Sequence, residues 1–201
     1  MKPLLSLPIA YLLGGVPFGY LLVRLKSGED IRGMGSGNIG ATNVLRNEGR
    51  LLGVVTLLLD MLKGYAAVWI AAWLSETDPV WMALAAAAVV LGHAFPVFLK
   101  FQGGKAVASF VGASLYIAPL PLLATMIVFV VTVAATRYIS LGSILGALLF
   151  PFAVFLIQHP PAPILLVSLA GGLFIVWRHK SNIERLRAGN ENVFRFGKSR
   201  A

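Results

Sequence analysis

The chain has 201 residues, 58% of them hydrophobic and only 12% charged, about half the charged share of an ordinary soluble domain. With a mean hydropathy of +0.82, this excludes a soluble globular fold and points to a multi-span helical membrane protein. The lack of cysteine excludes disulfides, thiolate nucleophiles and Cys-ligated metals.

Seven apolar runs succeed one another, at 4–23, 51–74, 80–99, 106–119, 122–135, 141–157 and 164–177. They predict an all-α, polytopic membrane protein of about seven transmembrane helices, forming one domain over residues 1–201. The fourth and fifth runs fall short of the roughly 20 residues of a straight crossing, so they tilt or extend as helix into their flanks. The opening MKPLLSLPIAYLLGG has no A-x-A-like cleavage site and stays apolar to Arg24, and is read as a retained first helix rather than a signal peptide.

The connections orient these helices. The first, third, fifth and last hold Arg24, Lys26, Arg32, Arg46 and Arg50, then Lys100 and Lys105, then Arg137, then seven Lys/Arg from Arg178 onward. The even connections, 75–79, 116–121 and 158–163, hold none. By the positive-inside rule the N-terminus lies outside and the C-terminus in the cytoplasm. The net charge of +9 is thereby an orienting signal and requires no nucleic acid. Residues 190–201 read as a flexible basic tail on anionic lipid.

Side chains capable of chemistry occur in four groups, 33–46, 103–105, 140–143 and 177–191, each on or beside an odd connection. The outer connections, SETDP, YIAPLP and QHPPAP, are short and Pro-rich. A transporter would place polar groups near the midplane with openings to both faces, whereas this chain gathers them at one face.

The first group contains G-x-G-x-x-G at Gly35, Gly37 and Gly40, with Asp60 twenty residues further on. A dinucleotide reading fails because the motif lies between two membrane-length runs and not between a strand and a helix. Its local physics remains. Closely spaced glycines expose backbone N–H groups, Ser36, Asn38, Thr42 and Asn43 add donors, and Arg46 follows; the sequence predicts an anion nest with a guanidinium beside it. The alternative is a polar interhelical loop.

Gly103-Gly104-Lys105 precedes the next apolar helix, whose free amides and dipole favour an anion; it reads equally as a helix cap with a snorkelling lysine. No Walker A loop is present, since Leu99 and Ala106 occupy its first-glycine and Ser/Thr positions. In WRHKSNIER, His179, Asn182 and Arg185 form a stripe if helical, or a solvated basic helix end. The serines of RYISLGS either donate to a ligand or satisfy helix ends. Asp60 and Lys63, inside the second run, are expected to pair with each other or with a neighbouring helix, since a lone charge there costs at least about 2.5 kcal/mol. His93 reads as structural. The three histidines lack metal-ligand spacing and no carboxylate cluster suits Mg²⁺, so neither metal nor cofactor is expected. The sum suits a phosphate-bearing substrate at the lipid boundary, with a small-anion transporter or a scaffold as the other classes.

Four stretches in order, GSGNIGATNVLR (35–46), GGKAVA (103–108), RYISLGS (137–143) and RHKSNIERLRAGNE (178–191), resemble the bacterial acyl-phosphate:glycerol-3-phosphate acyltransferases, the PlsY family, over essentially the full length. One departure is Ala106, where the family usually has glycine. The resemblance implies a seven-helix enzyme of the bacterial inner membrane with its active site facing the cytoplasm. It would make lysophosphatidic acid from acyl phosphate and glycerol 3-phosphate, without an acyl-enzyme, as the first acylation of phospholipid synthesis, and would be coupled to an enzyme producing acyl phosphate. Carried over by position, Ser36, Arg46, Lys105, Ser143, His179 and Asn182 surround the phosphates. Gly37, Asn38, Gly40, Thr42, Asn43, Gly103 and Gly104 are expected to bind substrate, and Arg185 and Glu191 match the last motif. The proton of the attacking hydroxyl goes to a substrate phosphate oxygen or to His179.

Overall fold

The computed structural model describes residues 2–194. In chain order the helices are α1 (Lys2–Gly15), α2 (Phe18–Ser27), α3 (Ala41–Glu48), α4 (Arg50–Leu74), α5 (Pro79–Ala94), α6 (Val107–Ile117), α7 (Pro119–Thr136), α8 (Ile139–Gln158), α9 (Ala162–Arg178) and α10 (Lys180–Arg187). Single 3₁₀ turns stand at Ile31–Gly33 and Val97–Leu99, and no strand occurs among the described residues. Each apolar run is built around a helix.

Their lengths are uneven. Among the described residues, Lys2–Ser27, Arg50–Leu74, Pro79–Leu99, Pro119–Thr136 and Ile139–Gln158 are long and apolar enough to cross a bilayer, while α9 and α10 form a pair bent by 56°. Helix α6 has 11 residues, about 16 Å of rise, roughly half the hydrocarbon thickness. The first run is also interrupted: Pro17 has no N–H and ends α1 at Gly15, so α2 starts afresh at Phe18. Local chemistry sets other boundaries. Asp78 accepts from the Val80 amide at 2.7 Å with Pro79 in the first turn, starting α5. Pro96 restricts Phe95 and stops α5 at Ala94.

The chain forms two compact units. One comprises residues up to Ile117 with Pro161–Val167; the other comprises Ala118–Pro160 and the chain from Ser168 onward. In the first unit α1 packs on α5 and α4, and α4 packs on α5 and α6. The buried face of α4 carries Gly53, Thr56, Asp60, Lys63, Gly64, Ala67, Val68, Ala71 and Ala72. Its exposed face carries Leu57, Leu58, Leu62, Trp69 and Trp73. Large apolar side chains outside and small or polar ones inside is the distribution of a helix whose solvent is lipid, where association depends on close backbone approach. At the α4–α6 crossing a Cβ on Gly64 would overlap the Ser109 carbonyl, and one on Gly112 the Met61 carbonyl. In the second unit α7 packs on α8, whose outer positions Phe152, Phe155 and Leu156 are likewise exposed.

The tail expected over 190–201 is tied down where it is described. Glu191 is buried, and the Phe194 amide donates to the Arg137 carbonyl at 2.7 Å. Residues 195–201 lie outside the described residues.

Because the α4–α6 contact leaves no room for a side chain, Gly112→Leu is expected to destabilise the first unit by about 1–3 kcal/mol or more. Thermal unfolding of detergent-solubilised protein measures this, with an exposed control such as Leu58→Ala shifting little.

Candidate active site

The first polar loop is organised by one side chain. Asn43, in the first turn of α3, is 2% exposed. Its amide nitrogen donates to the carbonyls of Asn38 at 2.8 Å, Met34 at 3.0 Å and Ile31 at 3.3 Å. Its carbonyl oxygen accepts from the Ser36 amide at 3.0 Å and from the Asn47 side chain at 3.0 Å. The Gly40 amide donates to Asn38 Oδ1 at 2.8 Å, and the Gly37 amide to the Met34 carbonyl at 2.9 Å. Gly35 and Gly37 have φ of +55° and +68°, the left-handed region that makes such a tight path possible without strain.

This corrects the expectation of a nest of exposed glycine amides. The amides of Ser36, Gly37 and Gly40 are satisfied inside the loop, and Asn38 and Asn43 hold it from within. The loop instead presents the exposed Ser36 and Arg46 side chains and the start of α3, which no side chain caps. The start of α3 thus offers the positive end of a helix dipole, while Arg46 lies in the last turn of the same helix. The loop is braced on both flanks. Lys26 pairs with Glu48 at 3.1 Å, joining the ends of α2 and α3. Arg32 pairs with Asp30 at 2.6 Å and lies over the Tyr20 ring at 5.2 Å. That hydrogen-bonded guanidinium holds the Asp30 carboxyl down at about 2, so the pair stays charged at any working pH.

The second loop, 95–106, folds back against the end of α5. The amides of Gly103 and Gly104 donate to the carbonyls of Ala94 at 3.2 Å and His93 at 3.1 Å. They complete the helix end and are not offered to a ligand, a second departure from expectation. Gly104 lies so close to His93 that a Cβ there would land on the imidazole Nε2. Ala106 is buried with φ +62°, a conformation that costs a residue with a Cβ about 1–2 kcal/mol and that glycine adopts freely. Lys105 follows the glycines immediately before α6.

The two loops end on one core. Leu99 of the second is buried in the same cluster as Ile31, Ile39 and Val44 of the first, together with Val23 and with Tyr20, Met34 and Leu52 packed around them. Arg46 follows Val44 by two residues and Lys105 follows Leu99 by six, so the segments leading to both pack on this core.

The second unit has its own polar centre, around a buried carboxylate. Glu191 Oε1 accepts from Asn182 Nδ2 at 2.8 Å and from the Ser140 hydroxyl at 3.1 Å, while Oε2 accepts from Arg185 Nε at 2.8 Å. Gly189 makes this possible: at φ +69° it reverses the chain after α10, with its amide and that of Asn190 closing onto the carbonyls of Leu186 and Arg185. Glu191 is an acceptor only and cannot itself grip phosphate; it orients Asn182 and Arg185. His179 stands at the α9–α10 bend, 3% exposed, its Nδ1 2.8 Å from the Ile175 carbonyl. That oxygen can only accept, so Nδ1 carries the proton of the neutral ring and Nε2 is the acceptor nitrogen. The Ser143 hydroxyl donates to the Ile139 carbonyl at 2.9 Å, leaving its lone pairs as the outward function.

Of the expected residues, the structure gathers Ser36–Arg46 with Gly103–Lys105 in one unit, and Ser143, His179, Asn182, Arg185 and Glu191 in the other. Thr42 lies in the uncapped first turn of α3. Sequence reasoning missed the bracing role of Asn43, for which a polar residue in the apolar stripe of a short helix is the available signal. It also missed Tyr11, whose hydroxyl donates to the Phe95 carbonyl at 2.7 Å and pins the second loop to α1.

The model of the family described as glycerol-3-phosphate acyltransferase matches residues 4–189. A glycerol-3-phosphate acyltransferase of Desulforamulus reducens is 46% identical over 95% of this chain and 94% of its own length. One of Geobacter sulfurreducens is 44% identical over 97% and 99%. The crystal structure of PlsY, an integral membrane glycerol 3-phosphate acyltransferase, in its glycerol 3-phosphate form superposes with a TM-score of 0.92 at 37% identity, covering 97% of this chain and 96% of that one. Its lysophosphatidic acid form gives 0.89 at 35% identity.

Asn43→Asp keeps the shape but turns a donor facing three carbonyls into an acceptor, and each buried group left unsatisfied costs about 1–3 kcal/mol. It is expected to lower the melting temperature and open residues 33–40 to limited proteolysis, while the exposed Leu58→Ala changes both little.

Proposed function

The chain belongs to the glycerol-3-phosphate acyltransferase family, and on that premise we propose that it transfers an acyl group from acyl phosphate to the 1-hydroxyl of glycerol 3-phosphate, releasing lysophosphatidic acid and inorganic phosphate. The shared burial of Leu99 with Ile39 and Val44 is the observation that supports this reading, because the segments leading to Arg46 and Lys105 pack on one core. Two cations and an uncapped helix start suit a substrate pair that brings two phosphoryl groups.

The chemistry follows from that charge. The glycerol hydroxyl oxygen attacks the acyl carbonyl, the bond from that carbon to the phosphate oxygen breaks, and inorganic phosphate departs. Phosphate is already a good leaving group, so positioning and charge neutralisation suffice and no acyl-enzyme forms. Arg46 and Lys105 neutralise phosphoryl oxygens, with Ser36 donating beside them. In the second unit Asn182, aligned by Glu191, and Ser143 are the candidate phosphate donors by their place in the family motifs. The proton of that hydroxyl goes to a phosphate oxygen of the substrate, with His179 Nε2 as the less favoured base. The site faces the cytoplasm of a bacterial inner membrane, where the odd connections carry the basic residues, and the donor comes from an enzyme that makes acyl phosphates.

Arg46→Ala and Lys105→Ala are each expected to lower kcat/KM by about 100-fold or more while inserting and unfolding normally. Near-normal turnover in both would end the assignment. Labelled glycerol 3-phosphate, offered separately with acyl phosphate, acyl-CoA and acyl-carrier protein, should be acylated only from acyl phosphate; a comparable rate from acyl-CoA refutes the donor. For His179→Ala, loss of the pH dependence of the rate assigns the proton to His179, and an unchanged profile assigns it to the substrate phosphate.

A further inference from the structure

The first unit buries a charged cluster that the reaction itself does not use. Lys63 Nζ is 2.8 Å from Asp60 Oδ1. It also donates to the Val16 carbonyl at 2.8 Å and lies 5.7 Å from the Phe18 ring centroid. On the other side of the aspartate, His93 Nδ1 is 3.7 Å from Asp60 Oδ1 and 3.2 Å from the Ser109 hydroxyl. All four side chains are almost fully inaccessible, from 0% for Ser109 to 4% for Lys63 and His93.

Each contact leads to one of the two loops. Val16 is the last residue before the Pro17 break, so the ammonium fixes where α2 begins. From α2, Val23 and Tyr20 support the first loop, and a Cβ on Gly19 would overlap the Ile39 carbonyl. His93 touches the second loop twice, through its carbonyl, which receives the Gly104 amide at 3.1 Å, and through its Nε2 edge, on which Gly104 rests. The ring thus lies between Asp60 and Ser109 at its Nδ1 edge and the peptide before Lys105 at its Nε2 edge.

We propose that His93, clamped by Asp60 and Ser109, is a positioning residue that sets the height of Lys105, and that the Asp60–Lys63 pair beneath it holds both phosphate-gripping loops in register. This deepens the reading above and rests on it. The pair supplies what a simple apolar contact cannot: a directional anchor inside lipid, where an uncompensated charge or carbonyl has no water to turn to. A lysine displaced by about 1 Å loses on the order of 100-fold in rate, so small movements of the ring are legible in kinetics.

A double-mutant cycle tests it. His93→Leu is expected to lower kcat/KM about 10- to 100-fold in the wild-type background, mainly through kcat. In the Lys105→Ala background it is expected to lower it less than about twofold, since its effect passes through that lysine. His93→Asn, which keeps a polar atom toward Asp60 and Ser109, recovers part of the loss. Ser109→Ala, a small change that uncovers no charge, repeats the pattern at smaller amplitude and decides the matter if His93→Leu does not fold. Equal losses in both backgrounds, or wild-type kcat in His93→Leu and Ser109→Ala, would overturn the proposal while leaving the role of Lys105 standing. A wild-type rate for Lys105→Ala alone would remove the underlying reading and this inference together.

Discussion

An ammonium buried within a membrane-length helix must be both neutralised and hydrogen-bonded, and Lys63 achieves both with two partners at 2.8 Å. Its carboxylate partner lies one helical turn away, and its carbonyl partner exists because Pro17 interrupts the first span. Each defect compensates the other: at the break the Val16 carbonyl accepts from the Phe18 amide at 3.2 Å and remains open to Lys63, and the lysine needs an acceptor that lipid cannot provide. The rest of the first unit is arranged around that exchange, with α4 keeping its small and polar face inward and its leucines and tryptophans outward.

A polar loop can turn its backbone amides outward or spend them inside the protein, and this chain takes the second course. The amides of Ser36, Gly37, Gly40, Gly103 and Gly104 have partners within the protein. Loops that satisfy themselves are stiff before any substrate arrives, so less ordering accompanies binding. What remains outward is strongly cationic, and strong cations suit phosphoryl groups better than neutral donors do. The second unit follows the same logic with the opposite sign. A buried carboxylate, Glu191, is surrounded by donors from α8 and α10, which fixes their orientation without offering a negative charge to an anionic ligand.

Ala106 illustrates how a site tolerates local strain. The turn between Lys105 and α6 needs a left-handed residue, and here a methyl group occupies it at φ +62° in a buried setting. The cost, about 1–2 kcal/mol, is sustained because the flanking chain is held at Gly104 by His93 and beyond it by the α4–α6 contact.

By itself the sequence determined the helical membrane class, the seven apolar runs, the segregation of cations onto alternate connections, and four polar motifs whose order marks the family. Those features depend only on composition and spacing, which lipid and the helix period read directly. The break at Pro17 and the capping of α5 by Asp78-Pro79 are also local, yet the run over 4–23 reads as one continuous helix in the sequence. Which donors stay available to a ligand was decided by tertiary structure alone. Asn43 looks like any amide in a glycine loop until it meets the carbonyls of residues 31, 34 and 38, and Glu191 looks like a ligand contact until Gly189 turns it beneath Asn182. His93, unremarkable in its helix, acquires meaning only between Asp60 and Gly104. Such pairings join residues distant in the chain, and no periodicity encodes them, because each hydrogen bond is settled by where the packed backbones come to rest.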